Sequence, residues 1–179
     1  MNVLQRTDTK LQVQLLIDIM DRPAPDELPR QAKGFLGMAE LRMTPDNKGI
    51  GVFAMQFIPA NKQVYEYEGK TCNKEETIAI LDSMSSNEER EYWLVHVFGM
   101  NGKLAVTLND GDYMNHSYDP TVGRLPDWDE STEIDDNYAL RDIQKGEELT
   151  MDYRIFVDPP FFLEVCKKYG ITVDRSFCA

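Results

Sequence analysis

Cysteine is scarce in this chain: Cys72, Cys166 and Cys178 are the whole set. Three is an odd number and no Cys-x-x-C pair occurs, so the thiols alone build neither a disulfide framework nor a zinc cluster. They read as reduced thiols of a cytosolic or nuclear compartment, and an intracellular protein is expected. Histidine is scarcer still, with only His96 and His116, too few for most zinc sites. Long apolar runs are missing as well. None approaches the roughly 18 residues of a membrane span, and Met1 to Lys10 is too polar for the apolar stretch of a secretory signal. Positive charge is short too: Lys plus Arg number 19 against 31 Asp plus Glu, a net charge of −12. Such a surface repels phosphate backbones and anionic lipid heads. Nucleic acid and membrane are therefore poor partners, and a basic protein or peptide is a better one.

What is present suits one ordinary globular core. At 179 residues, 42% hydrophobic and 28% charged, the chain buries enough surface to fold without disulfides or a structural metal. Residues 10–21 place Leu11, Leu15, Ile17 and Met20 in a mostly helical rhythm, and Pro23 and Pro25 follow; this predicts an N-terminal helix that docks on the domain or on a second copy. From Gly34 the texture changes to short segments punctuated by turn residues. Strands are expected at 35–43, 50–57 and 63–69, with turns at 44–49 and 58–62. A helix is expected at about 74–91, then two strands within 92–108 joined by the Met100-Asn101-Gly102-Lys103 turn. Residues 117–137 read as an exposed acidic loop around Asp127, Asp129, Glu130, Glu133, Asp135 and Asp136. Calcium is the alternative there, but the stretch from Asp127 lacks the sixth-position Gly and the final Glu of an EF-hand loop. Strand character returns over 138–156 around Gln144-Lys145-Gly146-Glu147, and a short helix from Pro160 to Tyr169 ends at Gly170.

Four stretches carry candidate chemistry, and each has a plainer reading. Gly49-Ile50-Gly51 lets backbone amides approach a ligand, because glycine has no Cβ; the plainer reading is a tight turn. It lacks the third glycine and following helix of a dinucleotide fingerprint, and nothing matches a P-loop. Asn115-His116-Ser117 is a compact polar triplet. A two-His, one-carboxylate iron site with Asp112 stays open beside a structural, hydrogen-bonded histidine. Glu147 to Tyr153 ends a strand in a phenol, which orients or polarises a reacting group without carrying charge; a core tyrosine is the alternative. Glu147 and Glu148 are adjacent carboxylates, but neighbours on a strand face opposite ways and cannot flank one glycosidic bond.

In this order the stretches resemble the SET domain of protein lysine methyltransferases: Lys48-Gly49-Ile50-Gly51-Val52-Phe53-Ala54, Glu66-Tyr67-Glu68-Gly69, Asn115-His116-Ser117 with Asp119-Pro120, and Tyr138 to Ile143 running into Gly146-Glu147-Glu148-Leu149-Thr150-Met151-Asp152-Tyr153. The resemblance covers about residues 34–157. It leaves an N-terminal helical extension at 1–33 and a C-terminal helical segment at 158–179. It implies a mainly β (α+β) fold of small curved sheets, in which the strand end at Asp152-Tyr153 is threaded beside Asn115-His116 in a pseudoknot-like arrangement. The implied cofactor is S-adenosyl-L-methionine, held by Lys48, Gly49, Ile50, Gly51, Tyr113, Asn115 and His116. Tyr153 matches the catalytic tyrosine, and Tyr67, Met151 and Phe156 fall where the substrate lysine would lie. No metal site is implied, and the product is a methylated lysine in a basic protein such as a histone.

Departures from the pattern matter as much. Tyr118 follows Asn-His-Ser where the family often has Cys, and the terminal Cys-x-Cys zinc knot that closes the lysine channel is missing. Pro159-Pro160-Phe161-Phe162 and the helix to Tyr169 are the expected substitute. Met151 stands where many relatives carry Tyr or Phe, and Asp112 where they often carry Arg. Two rival readings stay open: a SET-like module that binds a peptide without catalysis, and an S-adenosylmethionine enzyme acting on a small molecule.

Overall fold

The computed structural model describes residues 23–45, 49–125 and 137–175. The expected helix at 10–21, Lys48, the acidic run 127–136 and Cys178 lie outside the described residues. The described chain is mainly β, built of three small sheets with three α-helices. The largest sheet takes β1 (Arg30–Gln31), β2 (Ala39–Met43), β3 (Ile50–Ala54), β11 (Glu148–Met151) and β8 (Asn115–His116) in that spatial order. Its pairings are antiparallel except the last, where β8 runs parallel to β11 with Thr150 opposite Asn115 and Met151 opposite His116. Two segments far apart in sequence thus lie side by side, as the resemblance implies. The second sheet orders β4 (Gln63–Tyr65), β10 (Asn137–Ala139) and β9 (Val122–Gly123); the third orders β5 (Gly69–Cys72), β7 (Lys103–Thr107) and β6 (Phe98–Met100).

Several expected elements are redrawn. The strand expected at 35–43 begins only at Ala39, because Leu36 and Gly37 take positive φ in a turn closed by Met38 N–H donating to the Phe35 carbonyl. The strand expected at 50–57 stops at Ala54. The strand expected at 63–69 is two strands, since β4 pairs with β10 whereas β5 pairs with β7, and the chain changes sheets between them. The single helix expected at 74–91 is also two: α1 (Lys74–Ser83) and α2 (Asn87–His96). Met84 is extended, and Ser86 with Glu89 forms a second capping box that starts α2 afresh and carries it through Tyr92–His96, where a strand was expected. The Asn101-Gly102 hairpin turn is as expected, both residues at positive φ between β6 and β7. The last helix, α3 (Phe162–Tyr169), ends at Gly170 in the left-handed region.

Two buried clusters organise these pieces. One, around Phe35, Leu41, Val52, Ile58, Met114, Ile143 and Leu149, lies under the five-stranded and β4 sheets. The other joins α1 and α2 to β7 and α3 through Leu81, Trp93, Leu94, Leu104, Phe162 and Val165. The Lys74–Glu164 ion pair and the Tyr169 hydroxyl, donating to Asp82 at 2.8 Å, fasten α3 to α1.

Candidate active site

The centre of the five-stranded sheet brings three of the sequence's stretches together. From β8, Asn115 Nδ2 donates to Glu148 Oε1 of β11 at 2.7 Å and to the Ile50 carbonyl of β3 at 3.3 Å. Gly51 faces the same place. A Cβ built on it would meet Glu148 Oε1 at 2.6 Å, Phe53 Cε2 at 3.0 Å and Asn115 Nδ2 at 3.2 Å. Only glycine, lacking a Cβ, fits in this cradle of amide and carboxylate. Glu147 and Glu148 part ways because Glu147 lies in the turn before β11, where it binds Arg141, while Glu148 begins β11 and points to Asn115.

Beyond β11 the chain tightens into a 3-10 turn, Tyr153–Ile155. Asp152 caps it by accepting from Arg154 N–H at 3.0 Å, and the Arg154 guanidinium grips the same carboxylate. That grip holds the Asp152 carboxyl below its usual range. Tyr153 is fixed at two points. Its backbone N–H donates to His116 Nδ1 at 3.1 Å, and its hydroxyl donates to the Met114 carbonyl at 2.5 Å. Its ring lies 5.4 Å from the imidazole of His116. Burial pushes the phenol well above its ordinary pKa, with the carboxylates of Asp112 and Glu148 adding to the shift.

Tyr153 also lines a narrow pocket of about 110 Å³. This is a volume for one side chain, below the roughly 300–1,000 Å³ of drug-sized ligand sites. Tyr67, Met151, Tyr153 and Phe156 line it, as do Tyr65 and Phe98. Phe98 and Phe156 pack with centroids 4.4 Å apart, and Tyr67 meets Phe98 edge-on at 6.2 Å. The carboxylates of Asp112 and Asp158 also line it.

The structure therefore brings Gly51, Ile50 and Asn115 together, joins the neighbouring His116 to Tyr153, and sets Tyr153 with Tyr67, Met151 and Phe156 around one pocket. Gly49 enters β3 with open space around its Cα, and Tyr113 ends a 3-10 turn with its ring against the main cluster. Sequence reasoning missed Glu148 as Asn115's partner, Phe98 and Tyr65 as pocket walls, and Asp158 and Arg175. For Glu148 a signal existed in its register on β11; Arg175, in an irregular tail, had none. His96 Nδ1 lies 2.7 Å from the Tyr92 carbonyl, and His116 Nδ1 accepts from Tyr153. Among the described residues no group of three His, Cys, Asp or Glu is placed to hold a metal ion.

The SET domain family model matches residues 49–154. Histone-lysine N-methyltransferase Set2 of Drosophila melanogaster is 26% identical over 138 residues, covering 74% of this chain and 5% of its own length. The H3 lysine-36 specific histone-lysine N-methyltransferase of Mycosarcoma maydis is 27% identical over 136 residues, covering 74% of this chain and 13% of its own. Among solved structures, the Neurospora SET domain protein DIM-5, a histone lysine methyltransferase, gives a TM-score of 0.46 at 26% identity, over 63% of this chain and 50% of that one. The chain spans a small fraction of the length of these curated relatives.

Proposed function

Since this chain belongs to the SET domain family, whose pattern occupies residues 49–154, we propose that it transfers a methyl group from S-adenosyl-L-methionine to the side-chain amine of lysine in a basic protein, a histone or another. One observation carries the reading: Tyr153, held through its backbone N–H by His116 next to Asn115, also lines a narrow aromatic pocket with Tyr67, Met151 and Phe156. In this reading residues 34–157 form the SET domain, flanked by an extension at 1–33 and a segment at 158–179. The chain's net charge of −12 suits a basic substrate. No helix among the described residues is long and apolar enough to cross a membrane, and the reading places the work inside the cell, in cytoplasm or nucleus.

The cradle fits the methionine part of the cofactor. The backbone of Gly49 to Gly51 and the Asn115 amide would supply polar contacts, and the Glu148 carboxylate would suit a cationic ammonium. Lys48, Tyr113 and His116 complete the assigned binding set. When bound, S-adenosyl-L-methionine supplies an electrophilic methyl on a positively charged sulfur.

The chain's own residues do the rest. At pH 7 a free lysine, with a pKa of about 10.4, must give up a proton at a cost of about 4–5 kcal/mol before it attacks. Tyr67, Phe98, Met151 and Phe156 would give the amine apolar walls, which favour its neutral form, while the Asp112 and Asp158 carboxylates lining the same pocket favour the charged form on arrival. Beside the positive sulfur of the bound cofactor the balance would then tip to the neutral amine. Tyr153 is not the base, because its phenol stays protonated and spends that proton on the Met114 carbonyl. Its oxygen lone pairs remain to accept an amine N–H or a polarised methyl C–H, so Tyr153 aligns amine and methyl. The amine's proton leaves through water.

Calorimetric titration of S-adenosyl-L-methionine, run beside radiolabelled transfer to mixed core histones, tests the reading. Binding with label on lysine supports it. No binding leaves a SET-shaped interaction module, and label on a small molecule alone would replace the protein substrate.

A further inference from the structure

The pocket beside Tyr153 has two walls of different origin. Tyr65, Tyr67, Phe98, Met114, Met151 and Phe156 belong to or pack against the main cluster, whereas the other wall comes from the end of α2 and two residues of the C-terminal region, Asp158 and Arg175. Arg175 draws this second wall together. Its guanidinium donates to the carbonyls of Leu94 at 3.0 Å and Val97 at 2.7 Å, lies 5.0 Å above the Phe162 ring, and approaches Asp158 Oδ2 at 3.6 Å. Two of those partners are orphan carbonyls at the C-terminal end of α2, where a fixed cation is favoured. The strap at Val157–Asp158 in turn presses on β6. A Cβ on Gly99 would come within 1.8 Å of the Val157 carbonyl oxygen, so the glycine is what allows the strap to lie there. One side chain therefore connects α2, α3, the strap and the tail around the pocket.

We propose that Arg175, with Asp158, is a positioning residue that closes the amine pocket and sets how tightly the substrate lysine is held. The proposal rests on the methyltransferase reading and refines it. Helix α3, expected to close the channel, packs instead into the second cluster through Phe162, Val165 and Cys166. It contributes by offering the Phe162 ring to Arg175. A planar guanidinium reaches two carbonyls, an aromatic face and a carboxylate at once, which an ammonium cannot do.

The test uses the full chain, mixed core histones and labelled cofactor, comparing wild type with Arg175→Ala, Arg175→Lys and Asp158→Asn. The expected result for Arg175→Ala is a KM for histone raised at least tenfold, with kcat and the Kd for S-adenosyl-L-methionine within threefold of wild type. Arg175→Lys and Asp158→Asn should show the same split at smaller size, and they carry the test if the alanine variant does not fold. An unchanged KM in folded variants overturns the proposal. So does a parallel loss in KM, kcat, cofactor affinity and melting temperature, which is the mark of a merely structural tie. A wild type that binds the cofactor but labels lysine in neither core histones nor other basic proteins overturns both this proposal and the reading beneath it.

Discussion

The backbone N–H of Tyr153 donates to Nδ1 of His116 at 3.1 Å, so this ring nitrogen is an acceptor and the imidazole proton sits on Nε2. One bond thereby sets the histidine tautomer and the start of the tyrosine's 3-10 turn. Removing the acceptor with His116→Ala should lower the rate of methyl transfer at least tenfold. His116→Asn, which can present an oxygen near the same place, should recover part of the loss. Steady-state kinetics on the two variants checks this, and equal rates in both would break the link between the two residues.

Gly51→Ala adds one methyl group where Glu148, Phe53 and Asn115 already converge. Overpacking of this kind costs about 1–3 kcal/mol. Because the crowding falls on the cradle, cofactor affinity should drop at least tenfold by calorimetry, while melting shifts by only a few degrees. Retained affinity would place the cofactor elsewhere.

The raised pKa of Tyr153 has a direct optical consequence. Its folded-state value lies above that of the unfolded chain, so the phenol's contribution to stability is whole below about pH 10 and is lost as pH rises beyond it. Ultraviolet titration of wild type and Tyr153→Phe should give the same phenolate signal up to pH 11. A deficit in the variant that reaches about half a phenolate by pH 10 and nearly one by pH 11 would show an ordinary, solvated tyrosine.

Asp110 is buried, and Arg30 grips it with bonds of 2.6 and 2.8 Å, while Lys33 N–H donates to it at 2.6 Å. The pair ties β1 to the 3-10 turn just before Asn115. Arg30→Ala leaves a carboxylate buried without its cation, and should destabilise the fold by about 2 kcal/mol, less than a fully buried pair because Arg30 is partly exposed. Urea denaturation reads this, and the double variant Arg30→Ala/Asp110→Asn should regain part of the loss.

The site was legible where it is written in short contiguous motifs. Asn115-His116 forms β8 and Glu148–Met151 forms β11 just before Tyr153, and their side-by-side placement in parallel pairing is what the family resemblance implies. Hairpin β6–β7 was legible because Asn101-Gly102 meets a local backbone demand. The break between α1 and α2 was also local, in Ser86 and Glu89, but helical spacing at Ile78, Leu81 and Met84 masked it. The pocket's second wall was not legible. Val97, Asp158 and Arg175 meet only after α2 ends and the tail returns, and no periodicity in the chain records that contact.

Transfer of labelled methyl to mixed core histones by wild type and Tyr153→Phe, with cofactor binding measured on both, tests the central claim most directly. The expected result is labelled lysine from the wild type and at least a hundredfold lower kcat in the variant, with the Kd for S-adenosyl-L-methionine within threefold. A variant that binds the cofactor and transfers at the wild-type rate would contradict the role of Tyr153, and a wild type that binds no cofactor would contradict the activity itself.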